Sequence, residues 1–156
     1  MKSPMTPAGY EAIKIELMDL KKNKRAEVIE AVKTARAHGD LSENAEYHAA
    51  KELQKSTEKR IIFLERLVAS SNVIDPSKFS GKIVKFGATV ELENEDTEQK
   101  VIYQLVGSEE SDLKKGKIAF NSPVARALIG KTEGDFVEVK TPKGISGYEI
   151  LTVEYK

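Results

Sequence analysis

The sequence predicts a two-domain protein. An antiparallel α-helical coiled-coil hairpin is expected over residues 1–75, with its tip at 38–43, and an α+β domain over residues 76–156. Three observations predict it. Apolar residues recur at steps of three and four through two long stretches, the seam spacing of a coiled coil. The break Gly39-Asp40-Leu41-Ser42-Glu43 sits where those stretches meet. Beyond Val68 the breakers Ser70-Ser71-Asn72 and Asp75-Pro76-Ser77 appear, and the period then shortens toward two.

Tyr10, Ile13, Leu17 and Leu20 begin the first seam. It continues through Lys24, Val28, Ala31 and Ala35, with a local break in the heptad after Leu20. The second arm supplies Tyr47, Ala50, Gln54, Thr57, Ile61, Leu64 and Val68. One fold-back near residue 40 pairs Ile13 with Val68, Leu17 with Leu64 and Leu20 with Ile61. Lys24 then faces Thr57 as a polar layer. Thr6-Pro7 fits an N-cap followed by proline at the first helical position. Gly39 suits the residue that ends a helix in the left-handed region. About thirty residues per arm at ~1.5 Å each make a rod of roughly 45 Å.

The second domain begins with strand-like runs at 88–92, 101–106, 136–139 and 148–153. Between them Asn121-Ser122-Pro123 opens a short helix that ends at Gly130. A mostly antiparallel sheet follows from that order. The acidic tract 91–98 reads as a hairpin turn, and Tyr103, Phe120, Phe136 and Tyr148 read as strand or core positions.

Composition narrows the function classes. Lys+Arg and Asp+Glu are equal at 25 each, so no global positive field exists to hold DNA nonspecifically. The absence of cysteine removes disulfides and thiolate metal sites, which suits a reducing compartment. No run is long and apolar enough to span a bilayer. The expectation is a cytoplasmic protein with no membrane partner, acting as a monomer.

The chemistry-bearing residues gather at the hairpin turn. Asp40-Leu41-Ser42-Glu43 has the form of a capping box, with Asp40 at the N-cap and Glu43 at N3. The same two carboxylates also suit a hard cation, since Mg²⁺ takes one or two protein carboxylates and fills its other positions with water and phosphates. The two readings are compatible, because a carboxylate has several acceptor sites. Lys33 and Arg36 on the first arm, with Lys51 and Lys55 on the second, are either solvated flank or a strip that steers a nucleic-acid backbone. His38 and His48 flank the turn without a third nitrogen or sulfur ligand, a poor zinc site. Asn121, Ser122 and Pro123 form a helix start that also offers a docking edge.

Thr6-Pro7-Ala8-Gly9-Tyr10, the stretch 35–52, the stretch 121–131 and Lys140-Thr141-Pro142 together resemble the bacterial Gre family of transcript cleavage factors. Tyr47-His48-Ala49-Ala50 is similar to its GreA branch rather than to GreB. The resemblance implies a hairpin that enters the secondary channel of RNA polymerase and an FKBP-like C-terminal domain that docks at the channel rim through Asn121, Ser122 and Pro123. It implies that Asp40 and Glu43 are the tip acids, sharing Mg²⁺ with the polymerase, and that Arg36 and Lys51 belong to a basic strip along the nascent RNA 3′ end. Cleavage would then be the polymerase's reaction, stimulated in trans. A channel-binding inhibitor of the same architecture is the alternative. A prolyl isomerase would want an aromatic-lined pocket, and the chain has no tryptophan.

Overall fold

Helix α1 (Pro7–Asp19) starts where Thr6-Pro7 predicts in the computed structural model, which describes residues 3–39 and 44–156. Thr6 Oγ1 accepts a hydrogen bond from Gly9 N at 3.2 Å, taking one of the amides orphaned by the first turn. A π-helical turn, Leu20–Lys24, joins α1 to α2 (Arg25–Arg36). From Leu20 to Val28 the seam advances eight positions, one more than a heptad. The wider turn absorbs the extra residue at the expected break.

Helix α3 (Ala45–Ser70) returns along α1 and α2 within a unit that spans Tyr10–Ser71. Ile13, Val28, Val32 and Ala35 are buried on one arm, and Ala50, Thr57, Ile61 and Leu64 on the other. One seam position differs from expectation. After the π turn the next inward step is four, so the bulkier Val32 is buried and Ala31 is exposed. Arg60 donates to Glu16 at 2.8 and 3.0 Å, and Arg25 donates to Glu58 at 2.8 and 2.9 Å. Lys21 lies 3.1 Å from Glu65. Half-exposed pairs of this kind add little stability. Their value is in tying the two arms together, at positions on either side of Leu20 along the first arm. Thr57 Oγ1 donates to Leu53 O at 2.7 Å, so the polar layer leaves its buried hydroxyl satisfied.

The second unit contains residues 3–9 as well as Asn72–Lys156, a different division from the expected boundary at 75/76. The reason lies in a short strand. β1 (Ser3–Met5) pairs with β2 (Ser71–Val73), and Ile74 N donates to Met5 O at 2.7 Å. Met5 is then only 2% exposed, and Thr6 is buried beside it. The remaining strands are β3 (Thr89–Asn94), β4 (Lys100–Val106), β5 (Lys117–Ala119), β6 (Phe136–Thr141) and β7 (Gly144–Glu154). They lie in the order β5-β4-β3-β7-β6, antiparallel except for the parallel β4–β5 pair. The turn expected over 91–98 is shorter than that tract: Glu91–Asn94 belong to β3, and the turn begins at Asn94, whose Oδ1 accepts from Asp96 N at 2.8 Å and Thr97 N at 3.1 Å.

Helix α4 (Pro123–Leu128) buries Ala125 and Leu128 among Val84, Val90, Leu92, Leu105 and Ile150. Tyr103 and Tyr148 pack against this core as predicted. Phe120 is half-buried and meets Phe86 edge-on at 5.9 Å. Phe136 departs from expectation and is 64% exposed. Val137 and Val139 take the inward positions of β6, so the strand's alternation turns Phe136 and Glu138 outward.

Candidate functional site

Asp40 and Glu43 lie outside the described residues, and so does the expected helix start between them. The cap of α3 nevertheless has a definite owner. Asn44 occupies the N-cap with extended backbone, and its Oδ1 accepts from Tyr47 N at 3.0 Å. The expected cap at Asp40 with Glu43 at N3 is therefore corrected: the helix begins later, at Ala45, and the shorter amide serves its first turn. On the incoming side α2 ends at Arg36, where Ala37 N donates to Lys33 O and His38 N to Ala35 O. Gly39 follows with φ of 117°, a conformation that favours glycine.

Asn44 also reaches back. Its Nδ2 donates to Ala35 O at 2.6 Å, so one side chain joins the last turn of α2 to the first turn of α3. Sequence reading missed this residue. Its signal was an amide directly before a helical run, obscured by the more familiar acidic capping pattern that begins four residues earlier at Asp40. A second link lies beside it, where the Arg36 guanidinium sits over the Tyr47 ring at 5.8 Å. Tyr47 in turn meets His48 edge-on at 5.7 Å. Both histidines are exposed.

The four expected cations converge on one flank. Lys33, Arg36, Lys51 and Lys55 each follow a seam residue by one position, namely Val32, Ala35, Ala50 and Gln54. On arms running in opposite directions, such positions face the same side. All four are exposed, and Lys51 Nζ donates to Gln54 Oε1 at 3.3 Å. The opposite flank differs. Glu27, Glu30 and Glu46 edge an open groove of about 540 Å³ floored by Ala31, Thr34, Ala35 and Ala50. The distal hairpin is thus basic on one side and acidic on the other.

The carboxylate pair expected at Asp40 and Glu43 lies outside the described residues; its chemistry is of the hard oxygen kind that Mg²⁺ would take, with most coordination positions left to other groups. Among the described residues, no group of three or more His, Asp or Glu side chains is placed to hold a metal ion. No described helix is long and apolar enough to cross a membrane.

The third candidate belongs to the other unit. Ser122 Oγ accepts from Ala125 N at 3.3 Å, and Pro123 stands at the first helical position. Asn121 is exposed and its Oδ1 accepts from Ser108 Oγ at 3.4 Å. Ser122 is half-buried by its cap, which leaves Asn121 and Pro123 as the outward residues of this edge.

Residues 3–73 match the family model described as the N-terminal domain of transcription elongation factors. Residues 79–155 match the one described as the C-terminal domain of the transcription elongation factors GreA and GreB. The chain is 58% identical over 154 residues to transcription elongation factor GreA of Chelativorans sp. (strain BNC1), covering 99% of this chain and 98% of that protein. The same factor of Bartonella tribocorum is 56% identical over the same shares, as is that of Brucella suis biovar 1. Solved structures with similar coverage include GreA factor homolog 1 of Thermus thermophilus, at 25% identity, 99% of both chains and a TM-score of 0.45. Another is a prokaryotic GreA/GreB factor from Nitrosomonas europaea, at 22% identity, 99% and 100% coverage and a TM-score of 0.44.

Proposed function

The chain belongs to the GreA/GreB family of transcription elongation factors, and from that premise we propose that it stimulates RNA polymerase to cleave backtracked nascent RNA in trans. The observation that carries this reading is the ownership of the α3 cap. Asn44 caps α3 by accepting from Tyr47 N, so the N-cap role expected of Asp40 belongs to another side chain and the ligand reading of the acidic pair has no rival at that position. Carboxylates at the turn of a helical hairpin contribute nothing to an apolar core. They are of use when delivered to another site.

In this reading Asp40 and Glu43 hold Mg²⁺ jointly with carboxylates of the polymerase, and the ion when bound neutralises charge on the attacking and leaving oxygens. The basic flank of Lys33, Arg36, Lys51 and Lys55 guides the extruded RNA 3′ end through phosphate contacts, which position without reading sequence. Asn121, Ser122 and Pro123 dock on the polymerase at the channel rim. Docking raises the effective concentration of the tip at the reacting centre. The factor supplies ligands and the polymerase remains the catalyst.

The test is to add the protein to a stalled, backtracked elongation complex and look for short 3′ RNA fragments. Fragments with the parent protein and none with Asp40→Asn support the reading. Blocked extension without fragments identifies a channel inhibitor instead. Full cleavage by Asp40→Asn removes the ligand assignment.

A further inference from the structure

We propose that the two flanks of the distal hairpin fit one another between molecules, the acidic groove of one copy receiving the basic flank of a second copy of this chain. The groove runs between the arms, floored by Ala31, Ala35 and Ala50 and edged by Glu27, Glu30 and Glu46, with a volume of about 540 Å³. Its small side chains leave an open apolar floor beneath a carboxylate rim. That combination suits lysine and arginine, whose aliphatic stems lie along apolar surface while their charged heads stay at the edge.

The molecule's own opposite side supplies such an occupant. Lys33 and Arg36 on α2, with Lys51 and Lys55 on α3, are exposed there. Acids and cations share one length of the rod, positions 27–36 of the first arm and 46–55 of the second. Ten residues at ~1.5 Å each span about 15 Å, so two copies side by side in register bring the cations of one against the acids of the other. These charges are also uncommitted within the chain. Farther from the turn, Glu16, Glu58 and Glu65 are paired across the arms with Arg60, Arg25 and Lys21. Among the described residues, neither the three groove acids nor the four cations belong to an ion pair. A net charge of zero leaves no overall repulsion between copies.

Because the flanks lie on opposite sides, the contact is heterologous and association continues as an open series. Salt screens exposed charges, so the series belongs to low salt and high concentration, and dilution returns the monomer expected from the sequence. A neighbour seated on the basic flank covers the side that RNA phosphates would use. That consequence alone rests on the RNA reading of the flank.

The test is sedimentation velocity on the full-length protein over a range of concentrations. It is run at ~0.01 M salt, where charges act over about 30 Å, and at ~1 M, where they act over about 3 Å. The weight-average mass of the parent should rise with concentration at low salt and fall to that of one chain at high salt. Glu27→Gln with Glu30→Gln strips the groove of two acids, and Arg36→Gln with Lys51→Gln strips the basic flank of two cations. Alone, each double variant should associate roughly tenfold more weakly, the effect of losing two exposed ion pairs. Mixed, they should recover association, because one keeps its basic flank and the other its groove. The mixture should stop at two chains, since neither outer side adds another copy.

From a parent net charge of zero, the two variants carry +2 and −2, so net charge needs its own control. Glu138→Gln with Glu154→Gln and Lys114→Gln with Lys115→Gln carry the same net charges at exposed positions of the other unit. Each should associate alone as the parent does. A parent that sediments as one chain throughout at low salt overturns the proposal. So does a mixture that gains nothing over its parts, or a control pair that weakens association as much as the flank pairs do.

Discussion

Glu110 accepts hydrogen bonds from both the amide and the hydroxyl of Thr6, a residue 104 positions earlier in the chain. The same carboxylate accepts from Gly107 N at 2.7 Å, closing its own turn. Glycine at position 9 leaves room for this arrangement, because a Cβ there would lie 2.0 Å from the Glu110 carboxylate and push that side chain off its partners. The N-terminal segment is thus a constituent of the C-terminal unit. Glu110→Ala should lower stability by about 2 kcal/mol, the scale of charge-assisted bonds lost from half-buried partners. A fragment starting near residue 78 should be less stable than one carrying residues 1–9 on a linker, compared by urea denaturation. Equal midpoints for the two fragments would contradict this.

The cap assignment separates folding from chemistry at the tip. Asp40→Asn and Glu43→Gln should melt within about 1 °C of the parent, since neither change removes the α3 cap. Asn44→Ala should cost about 1 kcal/mol by loss of that cap. Calorimetry checks the ordering. A marked destabilisation by Asp40→Asn, with Asn44→Ala silent, would return the cap to the acidic pair.

The π turn makes a different kind of prediction. Leu20–Lys24 accommodates one residue beyond a heptad, so deleting the exposed Lys22 should give an uninterrupted α-helix with the downstream seam still facing inward. Stability should change by no more than about 1 kcal/mol, because no buried residue is displaced. Inserting a residue at the same place should do worse, rotating Val28, Val32 and Ala35 away from α3. Circular dichroism melts of the deletion and insertion variants distinguish the cases.

Periodicity made the hairpin legible because its seam repeats over many turns. Every second-arm position from Tyr47 to Val68 is buried or half-buried as read from spacing. The single slip, Ala31 for Val32, falls one seam step beyond Val28, the first buried position after the π turn. β1, β2 and β5 are three residues each, too short to display any period, and pairing across the chain decides them. The tip misled for a chemical reason. Asp-x-x-Glu and Asn are both good N-cap patterns, and local sequence does not rank two overlapping caps. The Thr6–Glu110 link is non-local, so no window of sequence contains it.

Tyr155 gives the fold an alkaline limit. Its hydroxyl accepts from Lys85 N at 3.0 Å and donates to Ile83 O, closing the 83–85 segment onto the end of the sheet. Burial pushes its pKa above the ordinary value of 10.0, outweighing the Lys85 amide bond that lowers it. A folded pKa above the unfolded one means stability that is complete below about pH 10 and is lost as pH rises through the folded value. Tyr155→Phe should cost about 1 kcal/mol at neutral pH through the lost hydrogen bonds. The gap between parent and variant should narrow above pH 10. A constant gap across that range would exclude the phenol as the source.

The two flanks of the distal hairpin allow a charge test with its own control. Arg36→Gln with Lys51→Gln removes two cations from the basic side, and Glu27→Gln with Glu30→Gln removes two anions from the acidic side. All four side chains are exposed, so both double variants should fold normally. If RNA phosphates run along the basic flank, only the first pair should weaken cleavage of deeply backtracked complexes. The salt slope of RNA engagement should fall by about 1.4 when two phosphate contacts to a single strand are lost. The defect should also be independent of RNA sequence, because phosphate contacts carry no base information. The acidic pair should leave the slope unchanged or raise cleavage slightly by easing repulsion from the RNA. Equal defects from both pairs would mean that the hairpin senses net charge rather than presenting a basic side. A defect from the acidic pair alone would reverse the assignment of the RNA-facing flank.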